Sequence, residues 1–369
     1  MAGPGRLTPP GEATAYVVNR WISVTIRLVQ QQLRVVCLGG GLGAPTVMAG
    51  LRAHTDDITG IIAVTDSGRS TGKVRIALDV PAPGDIRNAI AVLAEGDPVL
   101  RRLFNHRFET DKSTELNGMA FGNLFLAALA QQEGSFLRAV QEAARLLAIR
   151  GKVLPVTLYN TQICAKLADG TVVEEEVNVR GLGKAKIERI FLKDADVKAA
   201  AGTVEAIEAA DLITLGPGSL YTTVCACLLV PEIARAISEA RGLVVYVANT
   251  TAQPGQTDDV TLSGHVAAVL DYLGGSGLDV ALLNSDAPPA HLRDHHAEQG
   301  MRYLDPTADE IKAIEGLGVR VASAPIIDKW SGPRELWNKQ DTIRHDAARL
   351  SEALIGLLAA QRPRLRAVQ

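Results

Sequence analysis

The chain is 369 residues long, 47% hydrophobic and 21% charged, with a formal net charge of −3. That is the composition of a globular protein able to bury a large α/β core, without the broad basic field that duplex binding draws on. Aromatic residues make up only 4%, too few for stacking platforms, so no nucleic-acid partner is expected.

Residues 1–33 read as an N-terminal extension. A Gly- and Pro-rich lead-in runs to residue 15, and Tyr16 to Leu33 then carries Val17, Val18, Trp21, Ile22, Val24, Ile26, Leu28 and Val29, broken by Arg20 and Arg27. As a helix this stretch is partly amphipathic, suited either to a membrane surface or to packing on its own domain or a partner subunit. The apolar runs are too short for a membrane span, and no cleavable signal peptide is recognisable. A cytoplasmic location is therefore expected.

The most informative stretch is Val35-Val36-Cys37-Leu38, a short apolar strand that breaks on Gly39, Gly40, Gly41, Leu42 and Gly43 before a helix through Arg52. Glycines let the backbone turn tightly and let a ligand approach the main chain, and the first N–H groups of the helix are a seat for phosphate. The Gly-Lys-Ser/Thr ending of a P-loop is missing, and no acidic residue is set to hold a ribose as in a dinucleotide site. A structural tight turn remains the alternative.

Gly60 to Val64 is a second apolar strand, followed by the polar loop Thr65 to Lys73. Strand, glycine turn, helix and strand begin a parallel sheet with right-handed crossovers. Within the loop, Asp66 is suited to ligate Mg²⁺ beside phosphate oxygens or to brace its own turn. Arg69, Lys73, Arg75 and Arg87 are candidates to neutralise phosphate, Arg87 with a solvated helix position as its alternative. Pro83-Gly84 delivers Asp85 to a helix start, where it either caps N–H groups or joins Asp66, and Asn88 follows one turn later. A further helix opens with Gly118, Gly122 and Asn123 near its start.

From about 151 to 192 short strand-like runs with Asp169-Gly170 as a hairpin signal read as an antiparallel β-rich insertion, either a substrate-side lobe or an oligomer surface. Alternation then returns. Asp211 to Leu215 ends on Gly216-Pro217-Gly218-Ser219, a second anion seat, with a helix expected through Ile237; Ser219 is either a ligand contact or a cap. Val244 to Ala248 ends on Asn249, and Val280–Leu283 and Val319–Val321 complete the strands. The His291, Asp294, His295 and His296 group reads as a solvated helix start rather than a zinc site. The four cysteines, Cys37, Cys164, Cys225 and Cys227, read as buried thiols. In open α/β sheets ligands bind beyond the carboxyl ends of the strands, so one crevice is expected to collect the Gly39, Asp66, Gly216 and Asn249 segments. Residues 331–369 read as a C-terminal helix and basic tail.

In order, Gly39 to Gly43, Asp66 to Arg75, Pro83 to Asn88, Phe121 to Leu124, Leu215 to Thr222, Asn249 and Gln253 to Gly255 resemble the gluconeogenesis-factor (YvcK-like) and 2-phospho-L-lactate transferase (CofD-like) family, over roughly 34–330. The resemblance implies a Rossmann-like, mostly parallel α/β sheet flanked by helices. It also implies a ligand site built from Gly39, Gly40, Gly41, Gly43, Asp66, Arg69, Lys73, Asp85, Asn88, Asn123, Gly216, Gly218, Ser219 and Asn249, with Asp66 and Asp85 as tentative Mg²⁺ ligands. For the gluconeogenesis-factor branch it implies binding of UDP-sugars such as UDP-N-acetylglucosamine or UDP-glucose, and a regulatory role in carbon metabolism, cell shape and wall synthesis; a homo-oligomer is expected. For the transferase branch it implies Mg²⁺-dependent phospho-organic-acid transfer. The family's paired aspartates appear here as Asp66-Ser67, a following glycine as Arg69, and a His-Ser pair as Met119-Ala120. These departures favour binding over metal-assisted catalysis, with a membrane- or partner-docked scaffold as the third alternative.

Overall fold

The structure, a computed structural model, describes residues 33–298, 300–328 and 343–366. All but the last residue of the amphipathic stretch 16–33 lies outside them, as does the end of the basic tail.

The strands are β1 Val35–Gly39, β2 Ile58–Ile62, β3 Lys152–Pro155, β4 Ile163–Leu167, β5 Val172–Glu174, β6 Ile187–Leu192, β7 Leu212–Leu215, β8 Leu243–Val247, β9 Val280–Asn284 and β10 Arg320–Ala324. Seven form one sheet in the order β10-β9-β8-β7-β1-β2-β3, parallel at every pairing. Residues of β1, β2, β7, β8 and β9 are buried throughout. Helices cover both faces of such a sheet, so its strands read as unbroken apolar runs.

The helices are α1 Gly43–Leu51, α2 Arg69–Leu78, α3 Pro83–Leu93, α4 Pro98–Asn105, α5 Phe121–Glu133, α6 Phe136–Leu146, the single turn α7 Glu176–Val179 and α8 Thr203–Ala209. A π-helix, Leu220–Cys225, then runs into α9 Ala226–Leu228, followed by α10 Pro231–Ser238, α11 Leu262–Tyr272, α12 Ala290–Glu298, α13 Ala308–Gly316 and α14 Ala347–Arg366. Helices α1, α3, α5 and α6 pack in sequence, with α14 against α1, while α8 packs on α10 and α13 on α11. Leu350, Leu354 and Leu358 put a buried stripe on α14.

The Rossmann-like sheet and its antiparallel insertion are present, with two boundaries moved. Lys152–Pro155, expected within the insertion, pairs in parallel with β2 from Thr59 to Ile62, and α6 packs on it. An apolar run this short carries no mark of its partner, and Pro155, which lacks an N–H, is tolerated because β3 is an edge strand. The insertion is therefore β5-β4-β6, antiparallel throughout. The helix expected from Ser219 through Ile237 is broken, because Pro231 cannot continue it; the two parts meet at 81°. Among the described residues no single helix is long and apolar enough to cross a membrane. All four cysteines are buried and unpaired.

The insertion is tied to the main body through Tyr272, whose hydroxyl accepts a hydrogen bond from the Ile190 N–H at 2.8 Å. A Tyr272→Phe substitution should cost about 1 kcal/mol locally. Hydrogen exchange should then speed up at Ile190 and its neighbours in β6 while the central strands stay protected. Unchanged exchange in β6 would show that the tie is not a real constraint.

Candidate functional site

Strands β1 and β7 are neighbours in the sheet, yet their connections lead away in opposite directions, to β2 and to β8. At such a reversal a crevice opens beyond the carboxyl ends of the strands. Both strands end there in glycine turns, and the turns interlock. The Gly216 N–H donates to the Leu38 carbonyl at 2.9 Å, and a Cβ on Gly43 would overlap the Pro217 carbonyl oxygen. Only glycine lets α1 start against the second turn. The Gly216–Pro217 peptide is cis.

Beneath the first turn lies Asp85. A Cβ on Gly40 would overlap its Oδ2, and the Gly41 N–H is hydrogen-bonded to the carboxylate. The capping alternative gives way: Asp85 sits in the first turn of α3, but the main-chain N–H that its carboxylate engages is that of Gly41 in the glycine turn. Asn88, one turn on, donates from Nδ2 to the Gly41 carbonyl at 3.2 Å. It is held in turn by Arg87, whose Nη2 donates to Asn88 Oδ1 at 2.6 Å. Arg87 is buried, which rules out the solvated position; burial, with the nearby Arg107 charge, lowers its pKa to about 10.

Asp66 follows β2 and accepts the Gly68 N–H at 2.8 Å. Its neighbour Ser67, in place of a second acid, accepts the Val177 N–H at 3.1 Å through Oγ. That contact brings in Glu176, which sequence reasoning missed. Glu176 is buried, shares a side-chain hydrogen bond with Asp66, and is ion-paired to Arg180 at 2.8 Å. Burial pushes its carboxyl up, with Arg180 pulling the other way. Burial, then the Asp66 charge, raises Asp85 to about 7. Across the crevice, Lys184 donates to the Gly255 carbonyl, so the insertion touches both the β2 loop and the loop after β8. It is a wall of the site. The single short turn α7 gives no local signal of this, since both contacts are long-range.

The second turn is polar and satisfied. Ser219 donates to Gln256 Oε1 at 2.7 Å and accepts from Thr222 at 2.9 Å, and Gln256 Nε2 reaches Gln253 Oε1 at 3.3 Å. Ser219 makes no cap bond; its hydroxyl braces the turn. The Gly216 N–H is taken by Leu38 and the Gly41 N–H by Asp85, so the part-exposed Gly43 and Gly218 are the glycines whose N–H groups are candidates to face a ligand. Asn249, at the end of β8, is buried with an Oδ1 that has no hydrogen-bond partner. A buried acceptor left unpaired costs free energy, so this atom is suited to a donor on a ligand.

Asn123 is buried behind these turns, where Nδ2 donates to Ser70 Oγ at 3.0 Å and joins α5 to α2. Arg69 and Lys73 do not meet the glycine turns. They line a separate pocket of about 250 Å³ with Arg107 and Asn117. Arg75 is buried and binds the insertion side, reaching the Thr161 carbonyl at 2.5 Å. In the histidine group, His296 is buried rather than solvated.

Asp66 and Asp85 stand close enough to raise the Asp85 pKa, and Mg²⁺ is usually held by one or two carboxylates plus phosphate oxygens. The pair therefore fits a divalent cation that arrives with phosphates. Among the described residues no three His, Cys, Asp or Glu side chains form a self-sufficient metal cage.

A sequence profile for the family described as 2-phospho-L-lactate transferase CofD matches residues 35–327. The gluconeogenesis factor of Bacillus subtilis (strain 168) is 36% identical over 328 residues, covering 89% of this chain and 99% of that protein. The gluconeogenesis factor of Halalkalibacterium halodurans is 36% identical over 321 residues, covering 87% and 95%. A crystal structure of a Bacillus halodurans protein matches with a TM-score of 0.81 at 35% identity, over 88% of this chain and all of that one.

The site yields two stability expectations. Arg69 has φ 43°, a left-handed conformation that costs a side-chain-bearing residue on the order of 1 kcal/mol. Arg69→Gly should therefore raise the unfolding free energy by about that amount in urea titrations; a loss of stability would mean that arginine contacts outweigh the strain. The second concerns Asp85. Its folded pKa of about 7 lies above the ordinary 3.8, so between those values the folded chain keeps a proton that the unfolded chain has released. Stability should fall as pH rises through that window, by up to about 1.4 kcal/mol per pH unit from this group. Asp85→Asn should flatten the slope. An unchanged slope would place the titration elsewhere.

Proposed function

The chain belongs to the CofD-related family of gluconeogenesis factors, and we propose that it is a cytoplasmic regulatory protein that binds a nucleotide sugar, UDP-N-acetylglucosamine or UDP-glucose, without turning it over. The observation that carries this reading is the interlocked pair of glycine turns at the sheet reversal. Two adjoining turns that leave Gly41, Gly43 and Gly218 part-exposed suit the two phosphates of a diphosphate. The unpaired Oδ1 of Asn249 suits an N–H or hydroxyl of the nucleoside.

The Asp85 and Glu176 carboxyls are compatible with an anionic ligand because burial favours their neutral forms. A protonated Asp85 offers a hydrogen-bond donor where an ionised one would repel phosphate. With Mg²⁺ bound, Asp66 and Asp85 would hold it and the ion would offset phosphate charge. Ser67, standing where the family resemblance has a second aspartate, spends its hydroxyl on the insertion. Among the described residues the acids beside Asp66 are Asp85, pressed under Gly40, and Glu176, which is already paired with Arg180. This argues for a ligand that is read and released.

The transferase reading keeps one observation in its favour, the group of Asp66, Asp85 and Glu176 with raised carboxyls at Asp85 and Glu176. It requires metal-dependent product formation from phospho-organic acids that collapses in Asp66→Asn.

Titration calorimetry of the full chain separates the two. Saturable binding of a UDP-sugar should persist without metal, and Gly43→Ala should weaken it by at least about tenfold, because the added methyl forces the two turns apart. No saturable binding of any UDP-sugar would overturn the proposal.

A further inference from the structure

The pocket lined by Arg69, Lys73, Arg107 and Asn117 has no part in the diphosphate seat described above, yet the Asp66 charge acts both on Arg107 in this pocket and on Asp85 beneath the first turn. Arg69 and Lys73 come from the start of α2, and Arg107 from the segment after α4. Arg107 is half-buried and anchored by a hydrogen bond from Nη1 to the Gly118 carbonyl at 3.0 Å. Lys73 is anchored by the Thr114 carbonyl at 2.7 Å. Among the described residues the acids near them include Asp66, whose charge reaches Arg107, and Glu115, 3.6 Å from Lys73 with its side chain 80% exposed, so water screens the latter. Among the described residues no carboxylate is ion-paired with Arg69.

Three cations around one cavity repel one another. Burial and then the Arg69 charge lower the Arg107 pKa, against the opposing pull of Asp66. The chain also holds Arg69 in a backbone conformation that glycine would adopt freely. A strained arginine with no carboxylate ion-paired to it among the described residues, set beside two further cations, points to a ligand that repays the strain.

The direction of the crevice says which part of the ligand reaches the pocket. Across the sheet the order is β8, β7, β1, β2. Asn249 stands at the β8 end, the glycine turns stand on β7 and β1, and Arg69 stands at the start of α2, which follows β2. With the nucleoside at Asn249 and the diphosphate on the turns, the sugar lies on the β2 side. We propose that Arg69, Lys73 and Arg107 form a second anion subsite that takes a carboxylate or phosphate carried on the sugar, so that this chain prefers an acidic nucleotide sugar over a neutral one. This assignment rests on the nucleotide-sugar reading above.

The test is calorimetry of the full chain with UDP-glucuronate and UDP-glucose, in wild type and in Arg69→Gly, a variant expected to be the more stable protein. Wild type should bind UDP-glucuronate at least about tenfold more tightly, as charge-assisted hydrogen bonds allow. Arg69→Gly should remove most of that preference and leave UDP-glucose affinity within about twofold. Equal affinities in wild type, or a preference untouched by the substitution, would overturn the subsite. If neither nucleotide sugar binds, the broader reading fails by itself. Inorganic phosphate then decides the subsite, through thermal stabilisation at low ionic strength. Stabilisation that shrinks in Arg69→Gly supports it, and identical stabilisation in both proteins overturns it.

Discussion

Everything in the site depends on the contact between the Gly43 backbone and the Pro217 carbonyl. Two parallel strands can end side by side without their loops touching; here the turn after β1 and the turn after β7 are packed backbone to backbone. That contact fixes where α1 and the π-helix begin and brings the two turns together at one place. A π-helix directly after the second turn fits this crowding, because wide turns tend to occur where geometry serves a ligand.

The electrostatics follow from that placement. Asp85 is pressed under Gly40, where water is scarce and Asp66 is near, so the carboxyl holds its proton to about neutral pH. The insertion adds Glu176 and its partner Arg180 to the same corner. On the far side of Asp66 the sign reverses, with Arg69, Lys73 and Arg107 around a separate cavity. The crevice thus runs from a buried unpaired acceptor at Asn249, over two anion seats, to a cationic end. A ligand with a polar base, a diphosphate and an acidic tail matches that order of charges.

Much of this was legible because it is local. Val35 to Gly43 and Asp211 to Ser219 are single strand-to-turn units, and buried parallel strands announce themselves as apolar runs ending on glycine. The crevice followed from the rule that ligands sit at strand carboxyl ends. What was hidden was long-range. Glu176, Lys184 and Arg107 carry no motif and reach the site only because the chain folds back from the insertion or from α4. Pro83-Gly84-Asp85 fits a helix cap as well as it fits a floor beneath the turn; only the position of Gly40 decides. Ser219 looked like a cap or a ligand contact, and its hydroxyl instead belongs to Gln256, a partner too distant in sequence to guess. Lys152 to Pro155 looks like its sequence neighbours because a four-residue strand does not say which sheet it joins.

The most direct test of the central claim is a crystal structure of the chain with UDP-N-acetylglucosamine bound. The account requires the diphosphate to contact main-chain N–H groups of both turns, Gly39–Gly43 and Gly216–Ser219, with a donor of the nucleoside facing Asn249 Oδ1. A diphosphate bound anywhere other than between those two turns would contradict it.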